Sequence, residues 1–282
     1  MKKISALFLF GLLSLVLVAC GTSGESGNAG DSGSSEEESN EITVGATSVP
    51  HAEILEEAKP LLEGKGITLN IESYQDYVLP NEDLSNGTLD ANYFQHIPYL
   101  KDQKKEFGYD FVNLGGIHIE PMGIYSKNIK SVDDIKEGTT VLLSRSVADH
   151  GRVLALLQNH DLIKIKEGID PVSATLDDIA ENPLNLKFDA SIEAGLLPEF
   201  YNREENALVA INTNYAIEAG LVPEEDAIIL EGSDSPYVNV IAARSEDENN
   251  ENLQTLVEVL RSEEIQDFIK EEYDGAVVPV SK

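Results

Sequence analysis

The sequence predicts an α/β protein of two lobes, each a mixed, mainly parallel sheet flanked by helices, joined by two crossing strands. Two observations predict this class. Segments typical of strands alternate along the chain with segments typical of helices, an order that favours parallel pairing with helices on both sheet faces. The chain also has 282 residues, of which 41% are hydrophobic, enough for about two domains with their own cores.

The first residues have the pattern of an export signal. The basic start MKK precedes an apolar run, residues 4–19, that is shorter than the roughly 20 residues needed to span a bilayer. The run ends in LVAC, which resembles the lipobox of bacterial lipoproteins, where the cysteine sulfur receives a diacylglycerol and the chain is cleaved before it. Cys20 is the only cysteine and has no internal disulfide partner. We expect a signal peptide at 1–19 and lipidated Cys20; a plain secretory signal is the alternative.

Residues 20–40 are expected to hold the lipidated Cys20 and a flexible linker. The part after the cysteine is rich in Gly, Ser and acidic residues and has no large apolar side chain. A linker of this length reaches roughly 25 Å on average. The folded part is therefore expected near the extracytoplasmic face of the membrane and free to reorient.

The charge balance excludes several kinds of partner. The chain has 51 acidic and 20 basic residues, a formal net charge of -31. Nucleic-acid binding is excluded because phosphates must be met by Lys and Arg. A basic patch that docks on anionic lipids is excluded for the same reason.

The folded part begins at Glu41, and the strand–helix order can be followed from there. The expected strands are EITVGATSVP (41–50), ITLNIESY (67–74), TTVLLSRS (139–146) and ALVAINT (207–213), and the helices that follow are HAEILEEAKPLLEGKG (51–66), VADHGRVLALLQNH (147–160) and NYAIEAG (214–220). From Asn249 the pattern predicts two amphipathic helices whose apolar positions belong to the core.

Two extended, mostly apolar segments are expected to cross between the lobes: IHIEPMGIYS (117–126) and SPYVNVIAAR (235–244). The first lobe would then comprise 41–123 plus 237–282, and the second 124–236. Two lobes joined in this way form a hinge over a cleft, the geometry of closure around a small ligand. In such sheets ligands bind beyond the carboxyl ends of the strands.

Common catalytic signatures are absent from the sequence. It has no G-x-S-x-G elbow, no phosphate-binding G-x-x-x-x-G-K-[ST] loop and no H-E-x-x-H motif. The five histidines are scattered, and only His118 and Glu120 have a loose metal-ligand spacing. We expect no metal and no cofactor; zinc binding or an enzyme that uses His118 and Glu120 is a lesser alternative.

Six motifs, in order, carry a resemblance to a known family. They are DYVLPNEDL (76–84), DANYFQHIPYL (90–100), GRVLALLQNHDLIKIK (151–166), NPLNLKF (182–188), INTNYAIEAGL (211–221) and SPYVNVI (235–241). Together they resemble the NlpA-type methionine-binding lipoproteins of bacterial ABC importers, from about Thr43 to the C-terminus. The resemblance implies a two-lobed periplasmic-binding-protein-like fold of type II, with an amino acid in the cleft. It also implies an ABC permease and its ATPase as partners.

The resemblance also implies site residues. The pocket for the ligand side chain would be lined by Tyr77, Phe94, His96 and Tyr99. The polar end of the ligand would be held by Arg152, Asn212 and Asn239.

Elementary chemistry gives reasons for these roles and alternatives to them. An Arg offers a planar fork of donors for a carboxylate, and Asn offers an acceptor and a donor. Aromatic rings make soft contacts with a thioether. The alternatives are a surface arginine for Arg152, a helix cap for Asn212 and core packing for the rings. Asn239 has no such alternative, because a buried amide in an apolar strand needs a partner.

The segment YFQHIPYL (93–100) is expected to begin as a strand with two different faces. Alternation places Phe94 and His96 on the pocket side, with Tyr93 and Gln95 on the other. We therefore expect Asn239→Ala to weaken ligand binding far more than Tyr93→Ala.

One segment departs from the family pattern. Where relatives usually have a run like Pro-Asn-Asp-Pro-Thr-Asn before Gly-Arg, this chain has SRSVADHGR, so Asp149 replaces the last Asn and Arg145 is new. A carboxylate there should repel the carboxylate of a ligand unless Arg145, His150 or Arg152 compensates. We therefore expect Asp149 and Arg145 to alter specificity, with methionine, another amino acid or a dipeptide as ligand.

The leading hypothesis is a lipid-anchored solute receptor that captures methionine, L or D, or a related amino acid and delivers it to a permease and its ATPase, without making or breaking a bond. Two alternatives remain: a surface lipoprotein of the same fold with an adhesive role, or a receptor for a methionine-containing dipeptide.

Overall fold

The structure is a computed structural model that describes residues 40–280. The expected signal peptide, Cys20 and the linker as far as Ser39 lie outside the described residues. The strands are β1 (Glu41–Thr47), β2 (Thr68–Tyr74), β3 (Ala91–His96), β4 (Phe111–Ile119), β5 (Gly123–Tyr125), β6 (Thr140–Ser144), β7 (Lys164–Ile165), β8 (Ile179–Glu181), β9 (Lys187–Ile192), β10 (Leu208–Ile211), β11 (Ile229–Leu230), β12 (Val238–Arg244) and β13 (Val278–Pro279). The α-helices are α1 (Glu53–Glu63), α2 (Leu79–Ser85), α3 (Ile97–Phe107), α4 (Val147–Asn159), α5 (Leu197–Arg203), α6 (Thr213–Glu218), α7 (Pro223–Asp226), α8 (Glu251–Leu260) and α9 (Glu263–Tyr273).

Two sheets form the centres of two lobes. The first has the order β13-β4-β12-β3-β1-β2, and the second has the order β11-β5-β10-β6-β9. Each expected strand and each expected helix is present at its predicted place in the chain, within a few residues at the ends. The prediction of a two-lobed α/β fold with mixed sheets and flanking helices is confirmed.

The prediction that pairing is mainly parallel is wrong. Strand β1 is parallel to β2 and β3, and β6 is parallel to β9 and β10. The remaining pairs of the two sheets, β12 with β3 and β4, β13 with β4, and β5 with β10 and β11, are antiparallel. In the first sheet the reason is that β4 leads out of the lobe and β12 leads back into it, so these neighbouring strands run in opposite directions.

The chain crosses between the sheets twice. Strand β4 of the first sheet ends at Ile119 and β5 of the second begins at Gly123; the return runs from the end of β11 at Leu230 to the start of β12 at Val238. Gly123 already pairs within the second sheet. The lobe limits 41–123 plus 237–282 and 124–236 stay a prediction.

The two C-terminal helices complete the first lobe. Their side chains cap their own first turns, since Asn250 accepts hydrogen bonds from Asn252 N and Leu253 N, and Ser262 accepts one from Ile265 N. Their apolar faces lie in the same core as β1 and α1. Within residues 40–280 no helix combines the length and apolar character needed to cross a membrane.

Candidate functional site

A cavity of about 400 Å³ lies between the two lobes. All seven residues that sequence reasoning proposed for the ligand line it: Tyr77, Phe94, His96, Tyr99, Arg152, Asn212 and Asn239. The wall also includes Asp149 and four residues that were not proposed as ligand-binding: Gln95, Glu120, Thr213 and Asn214.

Three aromatic rings form one wall of the cavity. The centroid distances are 5.9 Å for Tyr77–Phe94, 6.0 Å for Phe94–Tyr99 and 6.1 Å for Tyr77–Tyr99. The hydroxyl of Tyr99 donates to Tyr77 O at 2.9 Å, which fixes the two rings relative to each other. Such a triangle offers ring faces and edges to an apolar or thioether side chain.

Alternate side chains of strand β3 face the cavity and the core of the first lobe. Phe94 and His96 face the cavity, whereas Tyr93 is fully buried in the core of the first lobe. Gln95 also reaches the cavity wall, where its amide bonds with Asn81 and Asn92. The alternation therefore describes three of the four side chains, and Gln95 departs from it next to the irregular register between β3 and β12.

His96 links the two lobes. Its Nδ1 accepts from Tyr99 N at 3.1 Å, so the proton of the neutral imidazole lies on Nε2. Nε2 then donates to Asp149 Oδ1 on α4 at 3.3 Å. His96 is thus the cap of α3 and a donor into the cleft.

Arg152 is 4% exposed, and its guanidinium is largely engaged by the protein. Nε donates to Glu231 Oε2 at 2.9 Å, and Nη2 donates to Glu120 O at 2.6 Å as well as to Glu231. The group also stacks over Tyr237 at 4.5 Å. Only Nη1 has no partner among the described residues, so a ligand carboxylate would meet one free nitrogen rather than an open fork.

Two asparagines beside α6 carry polar atoms without partners. Asn212 donates from Nδ2 to Asp149 Oδ2 at 3.4 Å, and its Oδ1 is a buried acceptor with no partner among the described residues. Asn214 accepts from Tyr77 OH at 2.6 Å, and its Nδ2 is a buried donor with no partner in the same range. Buried polar atoms are normally satisfied, so this acceptor and this donor point to a polar ligand. Asn212 occupies the N-cap position of α6, but its side chain makes no capping bond.

Asp149 is buried and ionised. Burial would raise the pKa of Asp149, but the hydrogen bond from His96, the charge of Arg152 and the hydrogen bond from Asn212 outweigh it and lower the pKa. Two of the groups expected to compensate this carboxylate do not touch it. Arg145 is exposed and pairs with Glu193, and the His150 ring bonds to Ser144 O. Arg145 also does not line the cavity.

A buried carboxylate, Glu120, lies beneath the polar end of the cavity. Its Oε1 lies 2.8 Å from His118 Nε2 and 3.1 Å from His51 Nε2, and its Oε2 accepts from Asn214 N at 3.2 Å. Burial would raise the pKa of Glu120, but the two imidazoles outweigh it and hold the pKa far below the usual range. Burial lowers the pKa of His118.

This buried cluster includes His118 and Glu120, the pair whose spacing in the sequence suggested a zinc site. His51, His118 and Glu120 present ligand atoms within 4.8 Å of one another. However, each ring is held at Nδ1 by a hydroxyl, His51 by Thr47 at 2.7 Å and His118 by Tyr93 at 2.5 Å. When those hydroxyls donate to Nδ1, both Nε2 protons point at Glu120 and the cluster is satisfied without an ion.

Asn239 joins this cluster to the cavity. It lies on β12 opposite His96 on one side and His118 on the other. Its Oδ1 lies 3.2 Å from His51 Nε2, and its Nδ2 has no partner among the described residues. The amide is therefore oriented with its donor free for a ligand.

The comparisons with known proteins agree with this architecture. The family model described as NlpA lipoprotein matches residues 42–281. The methionine-binding lipoprotein MetQ of Bacillus subtilis is 45% identical over 100% of both chains. A solved pheromone cOB1 precursor/lipoprotein from Enterococcus faecalis is 52% identical, with a TM-score of 0.83 over 85% of this chain and 100% of that one. A nutrient-binding protein from Burkholderia cenocepacia, solved bound to methionine, is 38% identical, with a TM-score of 0.80 over the same shares.

Fold and cavity together define a two-lobed solute-binding protein of the periplasmic-binding-protein type. The chain belongs to the NlpA lipoprotein family.

Sequence reasoning missed several residues of the site. Asn214 stands two positions after Asn212 in the motif INTNY, a signal that could have suggested a pair. Glu231, which holds Arg152 from 79 residues away, has no local signal at all. His51 follows β1, which β3 and β12 separate from β4 in the first sheet, so its contact with Glu120 has no local sequence signal.

Proposed function

We propose that this chain is a lipid-anchored extracytoplasmic receptor that binds methionine, L or D, or a related amino acid in the interlobe cavity and delivers it to an ABC permease and its ATPase. The observation that carries the proposal is the pairing of a ring-lined pocket with unpartnered polar atoms of both kinds. Asn212 Oδ1 suits an ammonium, and the Nδ2 atoms of Asn214 and Asn239 with Arg152 Nη1 suit a carboxylate. The curated relative and the methionine-bound structure support the choice of ligand.

The ligand-binding roles of Tyr77, Phe94, His96, Tyr99, Arg152, Asn212 and Asn239 are part of this proposal. The rings would enclose the thioether, and the polar atoms would hold the zwitterion. A binding role requires no nucleophile and no bond cleavage, so we propose that the chain is not an enzyme.

Calorimetry on the chain without its signal segment tests the ligand. We expect saturable binding of L- or D-methionine with one site per chain and weaker binding of leucine, which lacks the sulfur contacts. The absence of binding to methionine, to other amino acids and to methionine-containing dipeptides would contradict the receptor proposal and favour the adhesive alternative.

The anchor is tested separately through Cys20. We expect Cys20→Ser to release the chain from the membrane fraction, because two or more acyl chains supply stable anchoring at roughly 0.8 kcal/mol per buried CH₂. Cell fractionation and metabolic labelling with palmitate measure the result. Ser23→Ala, in the adjoining segment, is the control and should stay membrane-bound; a Cys20→Ser chain that remains membrane-bound and labelled would exclude this anchor.

A further inference from the structure

Asp149 is an acceptor with unused capacity on the cavity wall. An ionised carboxylate has about four lone-pair sites. Asp149 uses two of them, and both contacts are long, 3.3 Å to His96 Nε2 and 3.4 Å to Asn212 Nδ2. These distances exceed the usual range for N–H···O bonds. A buried carboxylate in this situation gains most from a cation that it can contact closely.

A second acceptor lies beside it. Because Asn212 directs its Nδ2 toward Asp149, its Oδ1 has a fixed orientation, and the reversed amide would place two oxygens together. That Oδ1 is buried and has no partner among residues 40–280. Asp149 and Asn212 therefore offer a carboxylate and a carbonyl from neighbouring positions on one side of the cavity.

The attraction that Arg152 offers to a ligand carboxylate is weaker. The charge of Arg152 is already neutralised by Glu231, and two of its three nitrogens are engaged. Arg152 already interacts with two carboxylates, since Glu231 contacts it and its charge also acts on Asp149. The field in the cavity therefore favours a positive group over a negative one.

We propose that Asp149, with Asn212 Oδ1, forms an amine-recognition subsite, and that the ligand is selected by its ammonium rather than by its carboxylate. The ligand class is then primary amines with an apolar thioether-like tail, methionine among them, in which the α-carboxylate adds less affinity than the ammonium. This inference rests on the proposed function. It makes Asp149, the carboxylate in SRSVADHGR that was expected to repel the ligand carboxylate, the main polar determinant of the site.

Two truncated ligands test the recognition of the ammonium and of the carboxylate separately, without adding bulk. Des-carboxy-methionine keeps the ammonium, and des-amino-methionine keeps the carboxylate. Calorimetry should show the des-carboxy compound binding about tenfold or more tightly than the des-amino compound, the size expected for a hydrogen bond to a charged group. In Asp149→Asn, which keeps the shape and the His96 contact, that ratio should fall by about tenfold.

The control is Asp133→Asn, which removes an exposed carboxylate of the same half of the chain and should leave the ratio unchanged. Circular dichroism and thermal unfolding of each variant without ligand establish that it is folded. Equal binding of the two truncated ligands, tighter binding of the des-amino compound, or an unchanged ratio in Asp149→Asn would overturn the inference while methionine still binds. If methionine, both truncated ligands, the other amino acids and the methionine-containing dipeptides all fail to bind, the proposed function itself is overturned.

Discussion

Asn239→Ala is expected to weaken methionine binding by about 10- to 100-fold, the range for losing a hydrogen bond to a charged group. The substitution removes the free Nδ2 donor at the cavity wall. It also removes the Oδ1 atom that lies 3.2 Å from His51 Nε2, so His51 is left with Glu120 alone on that side. Calorimetry measures the affinity, and the melting temperature without ligand shows whether the variant is folded.

The matched control is Tyr93→Phe rather than Tyr93→Ala. Tyr93 is fully buried in the first core, so truncation to Ala would leave a large cavity and destabilise the lobe. Phe keeps the ring and removes only the hydroxyl that contacts His118. We expect it to change the affinity for methionine less than about threefold, within the usual spread of such effects. Equal losses in Asn239→Ala and Tyr93→Phe would contradict a direct ligand contact of Asn239.

The strand and helix segments could be predicted because each is encoded locally. Alternation and amphipathic spacing extend over a few residues, as in ITLNIESY and in the helices after Asn249, and each such segment forms the expected element. The direction of pairing is a different kind of information. Whether β12 inserts antiparallel between β3 and β4 depends on how the chain returns from the second lobe, and no periodicity within β12 specifies that.

The cavity lining could be predicted because its residues lie in local motifs, whereas its electrostatics could not, because they depend on residues that are distant in sequence. Phe94, His96 and Asn239 lie in recognisable local motifs. The state of Arg152 depends on Glu231, and the state of Asp149 depends on His96, and both partners are more than fifty residues distant. Arg145 is adjacent to the motif but lies at the end of β6 with its side chain exposed, so nearness in sequence gave it a role that the fold does not support.

Arg152→Ala is expected to have the largest effect on stability. Arg152 connects the second lobe to both crossings. It donates to Glu120 O on the segment that follows β4 and to the Glu231 carboxylate on the segment that follows β11. Glu231 in turn accepts from Met122 N at 3.1 Å, so one ion pair holds both hinge segments together. Removing one member of a buried pair leaves the other charged and unpaired, which typically costs about 3–5 kcal/mol.

Urea unfolding of Arg152→Ala measures that loss, and a double variant identifies its origin. Because Arg152→Met with Glu231→Gln removes both charges, it should recover much of the stability that either single change loses. Recovery of stability without recovery of methionine affinity would show that Arg152 has two separable roles, bracing the hinge through Nε and Nη2 and meeting the ligand through Nη1. A loss below about 1 kcal/mol in Arg152→Ala, the value typical of an exposed ion pair, would mean that the crossings are held by their strands alone and that the pair only shapes the cavity.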